Sequence, residues 1–174
     1  MTTLNEFRRW RNIIQQRMTQ SIAIGAMAET PVALLDIRNW LNDADFIAIG
    51  TNDLMQCLFA ADRDLPEMHR YLNPYMPVLF RILMQAAREA AGKIHKVQVC
   101  GLLAQMPGIL PLLLAMGYRK FSVESTGIPY LAQTIKETNV TNTQRLVKQV
   151  CAASNTKIVC KLLGVPVATI WLDR

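Results

Sequence analysis

The sequence lacks the cysteine pairs that structural zinc sites and iron–sulfur clusters require. No C-x-x-C motif occurs, and the four cysteines are Cys57, Cys100, Cys151 and Cys160. This spacing excludes the usual ligand patterns of both kinds of site. The chain also shows no signal-like apolar segment near its start, so we expect a cytoplasmic protein whose thiols stay free. Three of the cysteines fall in apolar or helical patterns and are expected to be structural, whereas Cys100 closes a predicted strand.

Acidic residues are fewer than basic ones: 13 Asp and Glu stand against 19 Lys and Arg, for a net charge of +6. A basic excess can indicate nucleic-acid binding, but no basic stretch interleaved with aromatic residues occurs. The densest basic cluster is Arg8, Arg9, Arg11 and Arg17. In the same segment, Thr3 and Glu6 form a T-x-x-E capping box ahead of apolar residues at helical spacing. We therefore interpret the cluster as the solvated face of a helix and expect no nucleic-acid partner.

An unbroken apolar run of transmembrane length is also missing. The charge-free stretch between Lys96 and Arg119 is long enough to span a bilayer, but prolines, glycines and glutamines divide it. Its first part is typical of a strand that ends at Cys100, and its second part is typical of a helix that starts near Pro107. A buried strand, turn and helix explain the stretch better than a membrane span, which we do not expect.

Short apolar runs that end in polar or reactive side chains recur four times, in residues 22–28, 46–50, 97–99 and 120–123. Helix signals follow. Thr30 and Pro31 suit an N-cap and a first helical position, and a helix is predicted from Pro107 to a close at Gly117. Strands that alternate with helices predict a parallel sheet, whose strands end at one shared edge. The pattern therefore predicts an α/β fold with a functional site at that edge.

The length of the chain limits how large this fold can be. A complete (β/α)8 barrel of TIM type typically needs about 250 residues, and this chain has 174. We count four strand–helix units and predict half a barrel plus a C-terminal helix. A helix is expected in residues 1–20, the four units in 21–140, and a helical extension with a tail in 141–174. Residues 165–172 are strand-like, and we predict that they cover an exposed sheet edge.

Asn52, Asp53 and Arg63 follow the second apolar run and suit a ligand with negative charge and a bound metal. Glu29 follows the first run and Cys100 the third. Each residue alone has a simpler interpretation. Asn52 and Asp53 could form an Asx turn or a helix cap, Glu29 could favour a helix start through its charge, and Arg63 could make a surface ion pair. An isolated cysteine is usually a small buried apolar residue. Only the recurrence at strand ends favours function.

Five segments carry a resemblance to a known family: GAMAETP (25–31), DFIAIGTNDLMQ (45–56), AADRD (60–64), VQVCGLLA (97–104) and PLLLAMGYRKFSV (111–123). In this order and at these intervals they resemble the carboxyl-terminal part of Enzyme I, the phosphoenolpyruvate-protein phosphotransferase of the bacterial sugar phosphotransferase system. Pyruvate phosphate dikinase and phosphoenolpyruvate synthase share the G-T/S-N-D and C-G signatures. The A-D-R-D run favours Enzyme I.

The resemblance implies the C-terminal half of a phosphoenolpyruvate-binding (β/α)8 barrel that uses Mg²⁺. It implies that Glu29 and Asp53 bind the metal, that Asn52, Asp53 and Arg63 bind phosphoenolpyruvate, and that Cys100 donates a proton to the enolate of pyruvate. These roles suit the chemical groups. Magnesium prefers carboxylate oxygens, a guanidinium can clamp phosphate, and a thiol with a pKa of about 8.5 is mostly protonated at neutral pH.

The resemblance also implies partners, because in Enzyme I a histidine of an amino-terminal domain accepts the phosphoryl group. Further arginines that bind phosphoenolpyruvate come from the first half of the barrel. His69 and His95 match no phosphohistidine motif and are expected at the surface or in packing. We therefore do not expect phosphotransfer by this chain alone. We expect self-association or association with the other barrel half, and contact with a phosphocarrier protein through the amino-terminal domain.

The sequence departs from the family next to Cys100. Where the family has C-G-E followed by A-G-D-P, this chain has Leu102, Gln105 and Met106, and Met76 stands where the family has a histidine before proline. Two alternatives therefore stay open. The chain could be a truncated, non-catalytic remnant that serves at most as an oligomerisation or interaction module, or a fragment of a dikinase or synthase relative.

Overall fold

The structure, a computed structural model, describes residues 3–166. Helix α1 (Leu4–Arg17) begins where the capping box predicts, because the Thr3 hydroxyl oxygen accepts the backbone N–H of Glu6 at 3.3 Å. Phe7 is buried, and its ring lies 5.9 Å from that of Trp40. On the outer face of the helix, the Arg8 guanidinium pairs with Asp43 at 2.8 Å. Part of the basic cluster thus contacts carboxylates of this chain.

Four strands form a parallel sheet in the order β1, β2, β3, β4. They are β1 (Ala26–Ala28), β2 (Ile47–Gly50), β3 (Val97–Cys100) and β4 (Lys120–Ser122). Every neighbouring pair is parallel and consecutive in sequence. The predicted parallel α/β arrangement is confirmed, and the sheet is open, as in half a barrel. The first strand is shorter than the apolar run 22–28, since only its last three residues join the sheet.

The helices between the strands are α2 (Pro31–Leu35), α3 (Ile37–Asp43), α4 (Thr51–Phe59), α5 (Pro77–Glu89) and α6 (Ile109–Met116), with α7 (Ile128–Glu137) after β4. The predicted start at Thr30 is confirmed, because its hydroxyl oxygen accepts the Ala33 N–H. Helix α6 is closed by Gly117, its C-cap, as predicted, but it begins at Ile109, because Gly108 takes φ +75° before it. The prediction that Pro107 opens this helix was wrong.

The helical pattern predicted through Leu163 is divided into α8 (Val140–Ala152) and α9 (Thr156–Leu163). Each has an asparagine cap: Asn139 accepts the Asn142 N–H, and Asn155 accepts the Ile158 N–H. A cap in the middle of an apolar pattern ends one helix and starts the next. Nearly all of the strand-like run at 165–172 lies outside the described residues.

The two faces of the sheet differ in how they are covered. Ile47, Ile49, Val97 and Val99 are completely buried against the helices. Side chains on the other face alternate with them, and there Met27 keeps 41% of its surface exposed and Phe46 keeps 37%. A closed barrel would enclose this second face. We call it the open face, defined by Phe46, Met27, Gln98 and Lys120.

The sequence predicted that the chain has no membrane span and that its thiols stay free. None of the helices within residues 3–166 is long and apolar enough to cross a membrane. The charge-free stretch folds into β3, a 3-10 turn over Leu102–Gln105 and α6, as predicted. All four cysteines are free, but Cys57 is exposed, which corrects its assignment to packing. The apolar residues next to Cys57 in the sequence did not indicate that its side chain lies on the solvent-facing side of α4.

Candidate active site

The predicted site residues meet at the carboxyl edge of the sheet. Glu29 follows β1, Asn52 and Asp53 lie in the first turn of α4 after β2, and Cys100 is the last residue of β3. The register pairs Ala28 with Ile49 and Gly50 with Cys100, so the three strands end side by side. Gly50 leaves room there, because a Cβ on it would lie 3.1 Å from the Cβ of Glu29.

The Cys100 thiol is half-buried between polar groups of neighbouring strands. It donates to the Ile49 carbonyl oxygen at 3.2 Å and lies 3.6 Å from the sulfur of Met27. Burial, and then the negative charges of Glu29 and Asp53, raises the pKa of the Cys100 thiol above its ordinary value. The thiol is therefore protonated at neutral pH and has a proton to donate.

The turn after Cys100 is fixed by a glycine and by two side chains of α4. Gly101 has φ +99°, and a Cβ there would lie 2.5 Å from the Thr51 hydroxyl oxygen. The buried Thr51 hydroxyl donates to the Cys100 carbonyl at 2.7 Å, and the Leu102 N–H donates to Asn52 Oδ1 at 3.3 Å. Sequence reasoning missed Thr51. Its position directly before Asn52 and Asp53 is the signal that could have found it.

Asp53 and Arg63 are joined through Gln56, another residue that sequence reasoning missed. Gln56 Nε2 donates to Asp53 Oδ1 at 2.9 Å, and Gln56 Oε1 accepts the Arg63 backbone N–H at 2.7 Å. The Arg63 guanidinium itself lies 3.4 Å from Asp53 Oδ1. Arg63 thus pairs with the candidate metal ligand, and not with its sequence neighbours Asp62 and Asp64.

A pocket of about 260 Å³ opens beside these groups. His69, assigned from sequence to surface or packing, lines it and places Nε2 at 2.7 Å from the Arg63 carbonyl oxygen. Leu102 also lines it and keeps 52% of its surface exposed. The whole lining is Asn52, Met55, Arg63, Asp64, His69, Leu72 and Leu102. The pocket lies next to the sheet edge that carries Cys100. Asn52 and Arg63 line the pocket.

Met76 and Gln105, two other departures from the family, contact other elements of the fold. Met76 caps α5, and its sulfur accepts the Thr156 hydroxyl at 3.2 Å, so it contacts α9. Gln105 lies in the 3-10 turn after Cys100 and packs closely against Gly127. His95 lies in the turn Ile94–Lys96 that enters β3, at the end of the strand opposite Cys100, as expected.

The donor set suits a hard cation of the magnesium kind. Glu29 and Asp53 supply two carboxylates, and within residues 3–166 no cluster of three or more His, Cys, Asp or Glu side chains is arranged to hold a metal. Magnesium is commonly held by one or two carboxylates with substrate oxygens and waters, in contrast to an all-protein cage. Two carboxylates at one sheet edge, with Asp53 at 3.4 Å from the candidate anion-binding Arg63, fit that pattern.

Comparison with known proteins identifies the class. Residues 1–140 match the family described as PEP-utilising enzyme, PEP-binding domain. This match covers most of the chain, and the chain belongs to that family. The open parallel sheet with polar residues at its carboxyl edge is the architecture that the family resemblance implied.

Curated relatives place the chain among phosphotransferase sequences. It is 34% identical over 145 residues to the phosphoenolpyruvate-protein phosphotransferase of Buchnera aphidicola subsp. Schizaphis graminum, covering 83% of this chain and 25% of the relative. It is 35% identical over 130 residues to the protein of the same name from Cupriavidus necator, covering 75% and 22%. Similarity to multiphosphoryl transfer protein 1 of Escherichia coli K12 is 31% over 147 residues, covering 84% and 18%. The chain thus spans a quarter or less of the length of these relatives.

Proposed function

We propose that this chain is the phosphoenolpyruvate-binding portion of an Enzyme I type phosphotransferase, which moves the phosphoryl group of phosphoenolpyruvate to a histidine and so feeds sugar uptake. The observation that supports this most directly is the meeting of Glu29, Asn52, Asp53 and Cys100 at one sheet edge, with Arg63 against Asp53. The names of the relatives reported above favour this function over the dikinase or synthase alternative.

Each of these residues has a role that its surroundings support. Arg63 binds the phosphate, since a guanidinium presents paired donors to phosphate oxygens. Asn52 binds the substrate with its side-chain amide while its Oδ1 holds the Leu102 N–H. Glu29 and Asp53 hold Mg²⁺, which would offset the negative charge of the phosphate and of the enolate oxygen.

Cys100 is the proton donor of this proposal. Loss of the phosphoryl group leaves the enolate of pyruvate, and a proton must reach its methylene carbon. The Cys100 S–H bond breaks, the proton forms a new C–H bond on that carbon, and the sulfur keeps the electron pair as thiolate. The raised pKa keeps the thiol protonated before this step. Proton return from solvent then restores the thiol.

The contact between Asp53 and Arg63 is a weak ion pair. Both side chains are partly exposed, at 41% and 47%, so the pair is screened and contributes about 0–1 kcal/mol. Such a weak pair exchanges easily. An anionic ligand would pair with Arg63, and a cation would bind Asp53. Either ligand would break the pair between Asp53 and Arg63, so its binding would favour the binding of the other ligand.

The complete reaction needs groups from outside the described part of the chain. Neither histidine lies in a phosphohistidine motif of the family: His95 is at the opposite end of β3 from Cys100, and His69 Nε2 contacts the Arg63 carbonyl oxygen. We propose that the acceptor histidine belongs to an amino-terminal domain, through which a phosphocarrier protein is reached. The other half of the barrel would supply the facing wall of the site.

Calorimetric titration with phosphoenolpyruvate and Mg²⁺ tests the proposal. The full chain should bind saturably, and Asp53→Ala should weaken binding by about tenfold or more, because it removes a carboxylate that holds the cation. The control is Asp43→Ala, which alters an aspartate on α3 that pairs with Arg8, and it should bind like wild type. A wild-type chain that binds nothing would contradict the proposal and favour the non-catalytic remnant.

A further inference from the structure

We infer that Gln56 is a positioning residue of this site, whose side-chain amide holds the Asp53 carboxylate and the Arg63 backbone in one unit. The inference rests on the proposed function for the identity of the ligand. Its geometry stands independently, because both polar atoms of the Gln56 amide are engaged, one with each partner.

The position of Gln56 on α4 explains how it reaches Asp53. The two residues are three apart on the helix, and residues at that spacing share a face. The Gln56 amide nitrogen donates to Asp53 Oδ1 at 2.9 Å, across that face. This hydrogen bond orients the carboxylate without occupying its second oxygen.

A reversal of the chain brings Arg63 back to the same glutamine. Helix α4 ends at Phe59, and its C-cap Ala60 takes the left-handed conformation with φ +50° and returns the chain over the last turn. The Ala61 N–H then donates to the Gln56 backbone carbonyl at 3.1 Å. Two residues later, the Arg63 N–H donates to Gln56 Oε1 at 2.7 Å. Gln56 therefore fixes the segment from Ala60 to Arg63, because it accepts the backbone N–H groups of both Ala61 and Arg63.

His69 contacts the other backbone polar group of Arg63. Its Nε2 lies 2.7 Å from the Arg63 carbonyl oxygen. Both backbone polar groups of Arg63 are thus fixed, while its side chain keeps 47% of its surface exposed. The guanidinium can leave Asp53 for an anion while its backbone stays in place. A preorganised backbone reduces the ordering cost of ligand binding.

The amide group is required because it carries a donor and an acceptor on one side chain. Leucine has a similar size and has neither group. Glutamate keeps the acceptor for the Arg63 N–H but loses the donor to Asp53. The two substitutions therefore separate the two contacts.

Amide hydrogen exchange and ligand titration of the full chain test the inference together. Gln56→Leu should speed exchange at the Arg63 amide by about tenfold, because its acceptor is lost, and should weaken phosphoenolpyruvate binding with Mg²⁺ about tenfold. Gln56→Glu should restore slow exchange at Arg63, a recovery that a side chain with only a packing role would not give. Gln85→Leu, at an exposed position of α5, serves as the matched control and should change neither measurement.

Unchanged exchange at Arg63 in Gln56→Leu would overturn the inference, and so would unchanged binding in that variant alongside a wild type that binds. If the wild type binds no phosphoenolpyruvate, the proposed function fails instead. In that case the exchange rates still decide whether Gln56 holds Arg63.

Discussion

Cys100 shows how burial and neighbouring charges set the chemistry of one residue. Its thiol lies at the end of β3 beside two carboxylates, and burial together with those charges raises its pKa. A proton donor benefits from this environment, because the donor must carry its proton when the enolate forms. The same environment makes the thiol a poor nucleophile near neutral pH, since the thiolate is the reactive form.

Glu29→Gln should lower the pKa of Cys100 in the metal-free chain. Deprotonation creates a negative charge, and removing the nearby Glu29 charge makes that step easier. The rate at which iodoacetamide alkylates Cys100, followed by peptide mass spectrometry across pH 7–10, should therefore rise at lower pH than in wild type. Glu89→Gln is the control, because Glu89 lies on α5 and pairs there with Arg38 of α3. Superimposable profiles for wild type and Glu29→Gln would contradict this account of the pKa.

The placement of some candidate site residues at the sheet edge could be predicted from the sequence, because it depends on strand ends alone. Glu29 and Cys100 are of this kind. Gln56 and His69 could not be predicted, because their contacts with Arg63 depend on the reversal at Ala60, a non-glycine residue with φ +50°. An apolar or helical pattern does not encode such a reversal. The hydrogen bond of Thr51 could not be predicted either, since its partner is a carbonyl on β3, although the position of Thr51 directly before Asn52 and Asp53 is suggestive.

At the scale of elements, a threonine hydroxyl joins the start of α4 to the end of β3. Thr51 is completely buried, and its hydroxyl donates to the Cys100 carbonyl at 2.7 Å. Gly101 permits this approach, because any Cβ there would collide with the hydroxyl. The position of Cys100 therefore depends on contacts between two strand–helix units.

Thr51→Val should destabilise the fold by about 1–3 kcal/mol, because it removes the hydrogen bond from a buried side chain to the Cys100 carbonyl while keeping the side-chain shape. Urea unfolding followed by circular dichroism measures the loss. Thr143→Val is the matched control. Its hydroxyl also donates to a backbone carbonyl, that of Asn139, but at a more exposed site, and the loss should stay below that of Thr51→Val. Equal losses of unfolding free energy in the two variants would contradict the claim that the hydrogen bond between α4 and β3 stabilises the fold more than an exposed one.

The helix boundaries show which elements are readable from local sequence. The starts of α1 and α2 were predicted correctly, since a threonine cap acts on the residue three positions later. The start of α6 and the break between α8 and α9 were not. Gly108 takes φ +75° and delays α6, and Asn155 caps a new helix inside an apolar pattern whose periodicity continues.

At the scale of the whole molecule, the described sheet is open and does not close into a barrel. Within residues 3–166, β1 and β4 lie at the two edges of the sheet. The open face exposes Met27 and Phe46. Unpaired edges and exposed apolar side chains both favour association. We propose that the chain associates with a second copy or with the other half of the barrel.

Size-exclusion chromatography with light scattering should show a species larger than the 19.6 kDa chain. Met27→Lys should shift the chain toward monomer, because it places a charge on the open face. Ile158→Lys is the control, as Ile158 is an equally exposed apolar residue, at 42%, on α9. A wild-type chain that elutes as a stable, folded monomer would contradict the proposed association.

The central claim is that phosphoenolpyruvate and Mg²⁺ bind at the carboxyl edge of the sheet. Titration of the isotopically labelled full chain with both ligands, followed by amide chemical shifts, tests the claim most directly. We predict saturable shifts that concentrate at Glu29, Asp53, Arg63 and Gly101. The absence of saturable shifts, or shifts confined to another surface such as the groove between Arg38 and Lys93, would contradict it.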